Sequence, residues 1–327
     1  MSHFEGKNIV ITGGLGFIGS NLAHSCYRKG GNVTIVDNLD SQAGGNPFNI
    51  EPIKNNVKII SGDICDRSLI ENCIKTADIV INCAALISHT QSVQSPYRNL
   101  EVNSTAVLGM LEAIKTTNPK VQFLQVGTTT QIGKCHSAIV DENHPEFPLD
   151  PYSAHKTLAE KYTFMYSQVH GLRTNCIRLP NIYGPRAAIH SPTLTFNNFF
   201  IGLALQDKDI TIYGDGRQLR NLLYVDDAVD AILDISQKSD GAGEVYLAVH
   251  DDHITVSEFA EKIVSLYRKG KVVYIPWPEG RKNIEIGDAS YTNNKIKKDI
   301  GWVPKTSLTE GLTKTRDYYY GCLEKYV

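Results

Sequence analysis

The chain has 327 residues, enough for one large domain or for a large domain with a smaller one attached. With 42% hydrophobic residues, 21% charged residues and a net charge of -2, it has the composition of a soluble globular protein and no electrostatic feature that favours nucleic acid or an acidic membrane as a partner. A signal peptide, a membrane-spanning apolar run and a cysteine pattern for metal or disulfides are all absent from the sequence, which predicts a cytoplasmic protein with reduced thiols and no metal site.

The first half of the sequence alternates short β-rich runs with longer amphipathic stretches. The predicted strands cover residues 7–12, 32–37, 57–63, 77–85, 121–127 and 173–179, and the predicted helices cover 17–29, 99–117 and 151–170. Most of these strands are apolar on both faces and are separated by helices, a pattern typical of a parallel sheet covered on both sides. Because such crossovers are right-handed, the pattern predicts a doubly wound α/β domain of the Rossmann type.

The pattern changes after residue 179. Residues 185–221 are rich in Pro, Gly and Asn, and two later helical patterns, 255–269 and 307–320, flank a short strand at 271–276. We therefore predict a Rossmann domain over residues 1–180 that carries the catalytic residues, and a smaller α/β substrate-binding lobe over residues 181–327. Parts of this lobe are expected to return to the first domain.

A glycine-rich turn, "ITGGLGFIGSN" (11–21), follows the first predicted strand and opens the first predicted helix. Gly13, Gly16 and Gly19 permit positive φ in the turn and let the backbone approach a pyrophosphate. The phosphates are then placed at the helix N-terminus, where free N–H groups favour an anion. This spacing, in this strand–turn–helix context, predicts a dinucleotide site.

Two acidic residues end the following strands. Asp37 ends the second strand, where its carboxylate can bind the adenosine ribose hydroxyls and repel a 2′-phosphate, so NAD is favoured over NADP. The alternative is that Asp37 only caps a turn. Asp63, after the third strand, is placed to reach the adenine or to cap the helix that starts near Arg67.

Six motifs, taken together, resemble the extended short-chain dehydrogenase/reductase superfamily. In chain order they are "TGGLGFIGSN", "VDN", "GDICD", "NCAAL", "YSAHK" and "RLPNIYGPR", and the similarity extends from about residue 7 to residue 320. Within the superfamily the chain is similar to the nucleotide-sugar epimerase/dehydratase family, in particular to its UDP-glucose 4-epimerase-like members. The resemblance implies that further residues of these motifs contact NAD, namely Phe17, Ile18, Asn38, Ile64, Ala84 and Ala85. Asn103 resembles a family Asn near the cofactor, with a satisfied core amide as the alternative.

The resemblance identifies Thr128, Tyr152 and Lys156 as the catalytic residues. Tyr152 and Lys156 lie one helical turn apart and share a face. Lowering the pKa of a tyrosine by about three units requires about 4 kcal/mol of preference for phenolate. A lysine ammonium about 5 Å away supplies about 3 kcal/mol at an effective dielectric constant of about 20. We expect the positive nicotinamide to supply the remainder, and Lys156 also to hold the nicotinamide ribose. Thr129 is the alternative to Thr128.

The segment "VGTTTQIG" (126–133) departs from the dehydratases of this family. Those enzymes follow the threonine with an Asp–Glu pair that eliminates water, whereas this chain has Thr129 and Thr130. A 4,6-dehydratase is therefore disfavoured, and so is a decarboxylase, which usually has a glutamate nearby. The segment favours chemistry limited to redox and proton transfer at a sugar carbinol.

Residues of the second lobe resemble the nucleotide-sugar site of the family. The resemblance implies that Asn181 meets the phosphates, that Tyr213 lies against the base and that Arg220 pairs with the pyrophosphate. Arg281 is a second candidate for phosphate, with a solvated loop charge as the alternative, and Thr128 and Thr129 face the sugar. The nucleotide is left open among UDP, GDP, CDP and dTDP. The family also suggests a homodimer formed by the helices at 99–117 and 151–169.

These features predict an epimerase that uses bound NAD and leaves it unchanged after each cycle, most simply by transient oxidation of the sugar at C4. The alternative is a net oxidoreductase, either a 4-keto reductase or a 4-dehydrogenase, and a non-catalytic NAD-binding protein is the third possibility.

Overall fold

A computed structural model describes residues 2–238, 243–279 and 285–327. Its strands are β1 (Asn8–Thr12), β2 (Asn32–Asp37), β3 (Lys58–Ser61), β4 (Ile79–Asn82), β5 (Gln122–Thr128), β6 (Arg173–Leu179), β7 (Asn181–Tyr183), β8 (Ile210–Tyr213), β9 (Leu219–Arg220), β10 (Leu222–Tyr224), β11 (Val245–Leu247), β12 (Ile254–Thr255) and β13 (Val272–Ile275). Its helices are α1 (Phe17–Arg28), α2 (Arg67–Ile74), α3 (His89–Gln94), α4 (Pro96–Leu100), α5 (Ala106–Thr117), α6 (Pro151–His170), α7 (Phe196–Leu205), α8 (Val225–Ser236), α9 (Val256–Tyr267), α10 (Asn294–Ile300) and α11 (Leu308–Tyr320).

A seven-stranded parallel sheet organises the first half of the chain, in the order β11-β6-β5-β4-β1-β2-β3. Successive residues of each strand point to opposite faces, so that Ile9 and Ile11 enter one apolar core while Val10 enters the other. Helices α1 and α8 pack against each other on one side, and α2, α5 and α6 pack together on the other. This arrangement confirms the predicted doubly wound α/β fold.

The seventh strand, β11, comes from the region predicted as the second lobe and pairs with β6. The remaining strands form three small pairs, β7 with β10, β8 with β13 and β9 with β12. The domain boundary at residue 180 stays a prediction. The pairing of β11 with β6 shows that one strand from beyond this boundary joins the large sheet.

The predicted long helix at 99–117 begins earlier and is not uniform. It starts with α4 after Ser95, passes through a π-helical turn at Glu101–Thr105 and continues as α5. Of the described helices, none is both long and apolar enough to cross a lipid bilayer.

Candidate active site

One cavity of about 520 Å³ opens at the carboxyl ends of the parallel strands, where ligands bind in open α/β sheets. It continues along β8 and β9 into the second half of the chain. The predicted site residues that line it are Gly13, Gly16, Phe17, Ile18, Gly19, Asp37, Asn38, Asp63, Ile64, Ala84, Ala85, Thr128, Thr129, Tyr152, Lys156, Asn181, Tyr213 and Arg220. Two predicted residues are missing from this set, Asn103 and Arg281, of which Arg281 lies outside the described residues.

The glycine turn is built for close backbone approach. Gly13 has φ = 66°, and a Cβ there would lie 2.8 Å from the Ala84 backbone. A Cβ on Gly19 would lie 2.2 Å from the Gly13 carbonyl oxygen, so this position packs helix α1 directly on the turn. Gly16 caps α1 without a side-chain hydrogen bond from the described residues, and Gly16, Phe17 and Ile18 line the cavity at the start of the helix. These residues fit a dinucleotide pyrophosphate.

Asp37 both caps a turn and lines the cavity. Its Oδ2 accepts a hydrogen bond from the Leu15 amide at 2.9 Å, and its Oδ1 accepts one from the Leu39 amide at 2.8 Å. Each carboxylate oxygen retains a second lone pair for a ribose hydroxyl. The two interpretations of Asp37 are therefore compatible, because the turn fixes the carboxylate at the edge of the cavity.

Asp63 is held by an arginine that the sequence reasoning missed. Its Oδ2 accepts hydrogen bonds from Arg98 at 2.6 Å and from Asn38 at 3.1 Å. Burial raises the pKa of Asp63, but hydrogen bonds from the Cys65 amide and Arg98 outweigh it and keep the pKa below its usual value. The alternative of a helix cap is wrong, because Asp66 caps α2 by accepting from the Leu69 amide at 3.1 Å.

Asn103 does not line the cavity, and its contact with the cofactor stays a prediction. Its Oδ1 accepts from the Leu86 amide at 3.2 Å, and its Nδ2 donates to the Leu86 carbonyl at 2.9 Å and to Asn99 at 2.9 Å. The amide is thus a satisfied core group, as the alternative held. It anchors Leu86, which lines the cavity just after β4.

Tyr152 and Lys156 are buried on the first turns of α6, close to the end of β5. The helix begins at Pro151 and is capped by Asp150, which accepts from the Ser153 amide at 2.9 Å. Thr128, at the end of β5, lines the same end of the cavity, and its side chain lowers the pKa of the Tyr152 hydroxyl. The Thr129 side chain instead lowers the pKa of Tyr291. Both threonines line the cavity, and the choice of Thr128 over Thr129 stays a prediction.

Burial dominates the electrostatics of this pair. It raises the pKa of Tyr152, as does the negative charge of Asp150, while the side chain of Thr128 lowers it. Burial also lowers the pKa of Lys156 to about 8, against the raising effect of Cys83, Cys176 and Glu160. The Lys156 ammonium donates to the Val126 carbonyl. Without NAD the pKa of Tyr152 therefore lies above its usual value, and its lowering by Lys156 together with the nicotinamide stays a prediction.

A histidine and an aspartate beside Tyr152 were also missed. His89 Nδ1 lies 2.8 Å from Asp150 Oδ2, and the rings of His89 and Tyr152 meet edge to face with centroids 5.1 Å apart. The two residues of the hydrogen bond are 61 positions apart in the sequence, so no local spacing signals the pair. Burial raises the pKa of Asp150, but the hydrogen bonds from His89 and Ser153 hold it below its usual value.

Aromatic and charged side chains line the far end of the cavity. The rings of Tyr213 and Trp277 are tilted with centroids 5.7 Å apart. Arg220 forms an ion pair with Glu285 and donates to the Leu219 carbonyl at 2.7 Å. Asn181 donates to the Asn221 carbonyl at 3.2 Å. Trp277 and Glu285 add to the predicted set, and the contacts of Asn181, Tyr213 and Arg220 with a ligand stay predictions.

The seven cysteines are free. Within residues 2–238, 243–279 and 285–327, no group of three or more His, Cys, Asp or Glu side chains is arranged to hold a metal ion.

Comparison with known proteins identifies the family and the relatives of this chain. Residues 10–315 match the family model described as GDP-mannose 4,6 dehydratase. Among curated relatives, the chain is 29% identical to a putative UDP-glucose 4-epimerase of Methanocaldococcus jannaschii over 94% of this chain and 96% of that protein. It is 30% identical to a UDP-N-acetyl-alpha-D-glucosaminuronate decarboxylase of Bacillus cytotoxicus over 96% and 98%, respectively.

Solved structures of an epimerase and of a dehydratase superpose on nearly the whole chain. An epimerase from Methanothermobacter thermautotrophicus superposes with a TM-score of 0.91 at 26% identity, covering 98% of this chain and 94% of that one. A dTDP-glucose 4,6-dehydratase from Bacillus anthracis in complex with NAD superposes with a TM-score of 0.85 at 26% identity, covering 98% of both chains.

Proposed function

The chain belongs to the GDP-mannose 4,6-dehydratase family of NAD-dependent nucleotide-sugar enzymes, and from this premise we propose that it is a nucleotide-sugar 4-epimerase. The observation that carries the proposal is the composition of the catalytic end of the cavity. Thr128, Tyr152 and Lys156 meet there, while positions 129 and 130, where dehydratases have an Asp–Glu pair, are threonines.

The protein's own residues account for the proton transfers. Tyr152 takes the proton of the sugar hydroxyl, and Thr128 holds the same oxygen. The glycine turn and Asp37 would hold NAD, which would supply the chemistry of accepting hydride from the sugar carbon and returning it. Because burial raises the pKa of Tyr152, its phenol form is favoured once the carbonyl has formed, and it then donates a hydrogen bond to the carbonyl oxygen. Lys156 holds the nicotinamide ribose.

The residues at the end of the cavity near Tyr213 and Trp277 are suited to binding the nucleotide part of the substrate. The paired rings of Tyr213 and Trp277 offer an apolar face to a base. Arg220 presents a planar, permanently charged fork suited to a phosphate. Asn181 begins β7 and lines the same cavity, and its side-chain amide is suited to a phosphate.

The test is to incubate the purified protein, without added cofactor, with UDP-glucose and with UDP-N-acetylglucosamine. We expect the C4 epimer of at least one to appear by NMR until equilibrium is reached, with no growth of NADH absorbance. In a parallel reaction with excess NAD added, steady accumulation of NADH would assign the protein to the net oxidoreductases instead. Release and mass spectrometry of the copurified nucleotides identify the cofactor and the sugar nucleotide independently.

We also propose a cytoplasmic homodimer, supported by an apolar strip on the outer face of α6. Leu158, Met165 and Val169 lie at helical spacing on this face, and Met165 and Val169 are 43% and 67% exposed. Tyr97, on the neighbouring α4, is 87% exposed.

Met165→Glu is expected to convert the protein to a monomer, because it places a charge at the centre of the face that the proposed dimer would bury. Light scattering coupled to size-exclusion chromatography measures the mass. Ile139→Glu is the matched control, since Ile139 is 63% exposed but lies outside the helices, and it should leave the mass unchanged. A wild-type monomer, or a dimer that survives Met165→Glu, would contradict the proposal.

A further inference from the structure

The epimerase chemistry uses Thr128, Tyr152 and Lys156 and leaves one ionisable pair in the same cavity without a role. This His89–Asp150 pair joins two elements that are distant in sequence, the start of α3 and the cap of α6. Asp150 is almost completely buried, with 3% of its side chain exposed, whereas the His89 side chain is 38% exposed and lines the cavity.

The hydrogen bonding of the pair resembles that of an oriented acid–base group. Asp150 engages Nδ1 of His89 at 2.8 Å, and Nε2 makes no hydrogen bond with any residue in the described parts of the chain. A carboxylate on one ring nitrogen fixes the orientation and tautomer of the imidazole and leaves the other nitrogen as the acid–base atom. Because capping alone needs only an acceptor, which Asn or Ser provides equally well, the cap of α6 does not by itself explain the carboxylate.

The pair is also close to the position of the missing dehydratase carboxylates. The Ser153 hydroxyl lies 3.0 Å from Asp150 Oδ2 and 3.0 Å from the Thr130 hydroxyl, which in turn lies 3.1 Å from the Thr128 hydroxyl. A short polar chain thus connects the pair to position 130, where the dehydratases have glutamate. The His89 ring meets the Tyr152 ring directly, so both line the same end of the cavity.

We propose that His89, oriented by Asp150, is a second acid–base group that removes and returns a proton at the carbon next to a sugar 4-carbonyl. In this step the C–H bond breaks and its proton goes to Nε2 of His89. The electron pair forms a carbon–carbon double bond, and the carbonyl oxygen takes a proton from the Tyr152 hydroxyl. Reversal restores the ketone with a proton drawn from solvent through His89. The step is redox-neutral and needs no further reactant.

This inference rests on the proposed function, since the epimerase cycle generates such a carbonyl. It adds an activity to that cycle, namely exchange of a carbon-bound hydrogen with solvent. Asp150 is a positioning residue in this scheme, while His89 is the group that contacts the substrate.

The experiment supplies the ketone directly, so that it does not depend on the redox step. UDP-4-keto-6-deoxyglucose and dTDP-4-keto-6-deoxyglucose are incubated with the protein in D₂O, and deuterium at C3 and C5 is followed by NMR and mass spectrometry. We expect exchange above the buffer rate for the wild type at saturating ketone. His89→Gln should lower the exchange rate about 10²-fold, the typical contribution of a positioned acid–base group.

Two further variants separate chemistry from structure. Asp150→Asn keeps a helix cap, so its melting temperature should remain near that of the wild type while its exchange rate at saturating ketone falls. His170→Gln, an exposed histidine at the end of the same helix, is the matched control and should exchange normally.

The inference is overturned if the wild type does not accelerate exchange of either ketone, or if His89→Gln exchanges at the wild-type rate. The proposed function fails separately, if sugar nucleotides with a 4-hydroxyl are not epimerised. A His89→Gln protein that epimerises but does not exchange supports both proposals.

Discussion

Replacing Tyr152 with Phe is expected to lower epimerisation about 10³-fold, within the range for loss of a positioned acid–base group. In the proposed function the hydroxyl of Tyr152 exchanges a proton with the sugar oxygen, and Tyr152 is buried at the end of the cavity that Thr128 also lines. Phe preserves the ring and its edge-to-face contact with His89, so the packing of α6 should be retained. The measurement is kcat at saturating sugar nucleotide, together with NAD affinity by calorimetry, which should change little.

Tyr162→Phe provides the matched control for this substitution. Tyr162 lies on the same helix, is half-buried against the apolar core and does not line the cavity. Loss of its hydroxyl should leave kcat within about twofold, because no acid–base group is removed. Full activity in Tyr152→Phe would remove the catalytic assignment of Tyr152.

The second large effect is expected on stability, at Arg178. This side chain is 1% exposed at the end of β6, and it donates to Glu160 through Nε at 2.7 Å and Nη2 at 2.6 Å, with Glu146 as a further partner. Arg178→Met removes the guanidinium group and leaves the carboxylates of Glu160 and Glu146 in the interior. Breaking a buried pair in this way costs about 3–5 kcal/mol, which we expect as a loss in the free energy of unfolding by urea.

The pH dependence of this loss identifies its cause. In the wild type, burial raises the pKa of Glu160, but the ion pair with Arg178 outweighs it and holds the pKa below its usual value. The stabilisation by Glu160 is thus present above its unfolded pKa and is lost as the pH falls through its folded pKa. In Arg178→Met the pKa of the buried carboxyl rises instead, so the deficit is largest near neutral pH and decreases towards pH 5.

Two companion variants complete this test. Adding Glu160→Gln to Arg178→Met should recover part of the lost stability, because the amide removes a buried charge. Arg173→Met, at the exposed start of the same strand, should change the free energy of unfolding by less than about 0.5 kcal/mol. Equal losses in Arg178→Met and Arg173→Met would refute the role assigned to the buried ion pair.

Features encoded by local spacing could be predicted from the sequence. The glycine turn at 13–19 and the pair Tyr152–Lys156 each lie within one or two turns of chain, so the sequence order determines their geometry. Six of the seven strands of the large sheet, β1 to β6, were also predicted, because each is a short run rich in apolar residues, whereas β11 was not predicted.

Features that depend on tertiary contacts could not be predicted. The ion pairs Arg98–Asp63 and Arg220–Glu285, and the His89–Asp150 pair, join side chains 35 to 65 positions apart. The side-chain amide of Asn103 is hydrogen-bonded to the backbone of Leu86, in the loop that follows β4. The spacing of residues along a helix does not reveal such a contact. Helix α7 was hidden for another reason: it lies within 185–221, where the surrounding Pro, Gly and Asn residues obscured its apolar pattern.

The position of β11 has a consequence for how the chain folds. Its neighbour β6 ends at Leu179, whereas β11 begins at Val245, so residues 180–244 must be synthesised before the sheet can be completed. Until then β6 presents an open edge, which is a template for pairing with other chains. Pairing across so long a loop raises the contact order and slows closure. The nascent chain is therefore most prone to aggregation after its sixth strand has emerged from the ribosome and before its seventh sheet strand arrives.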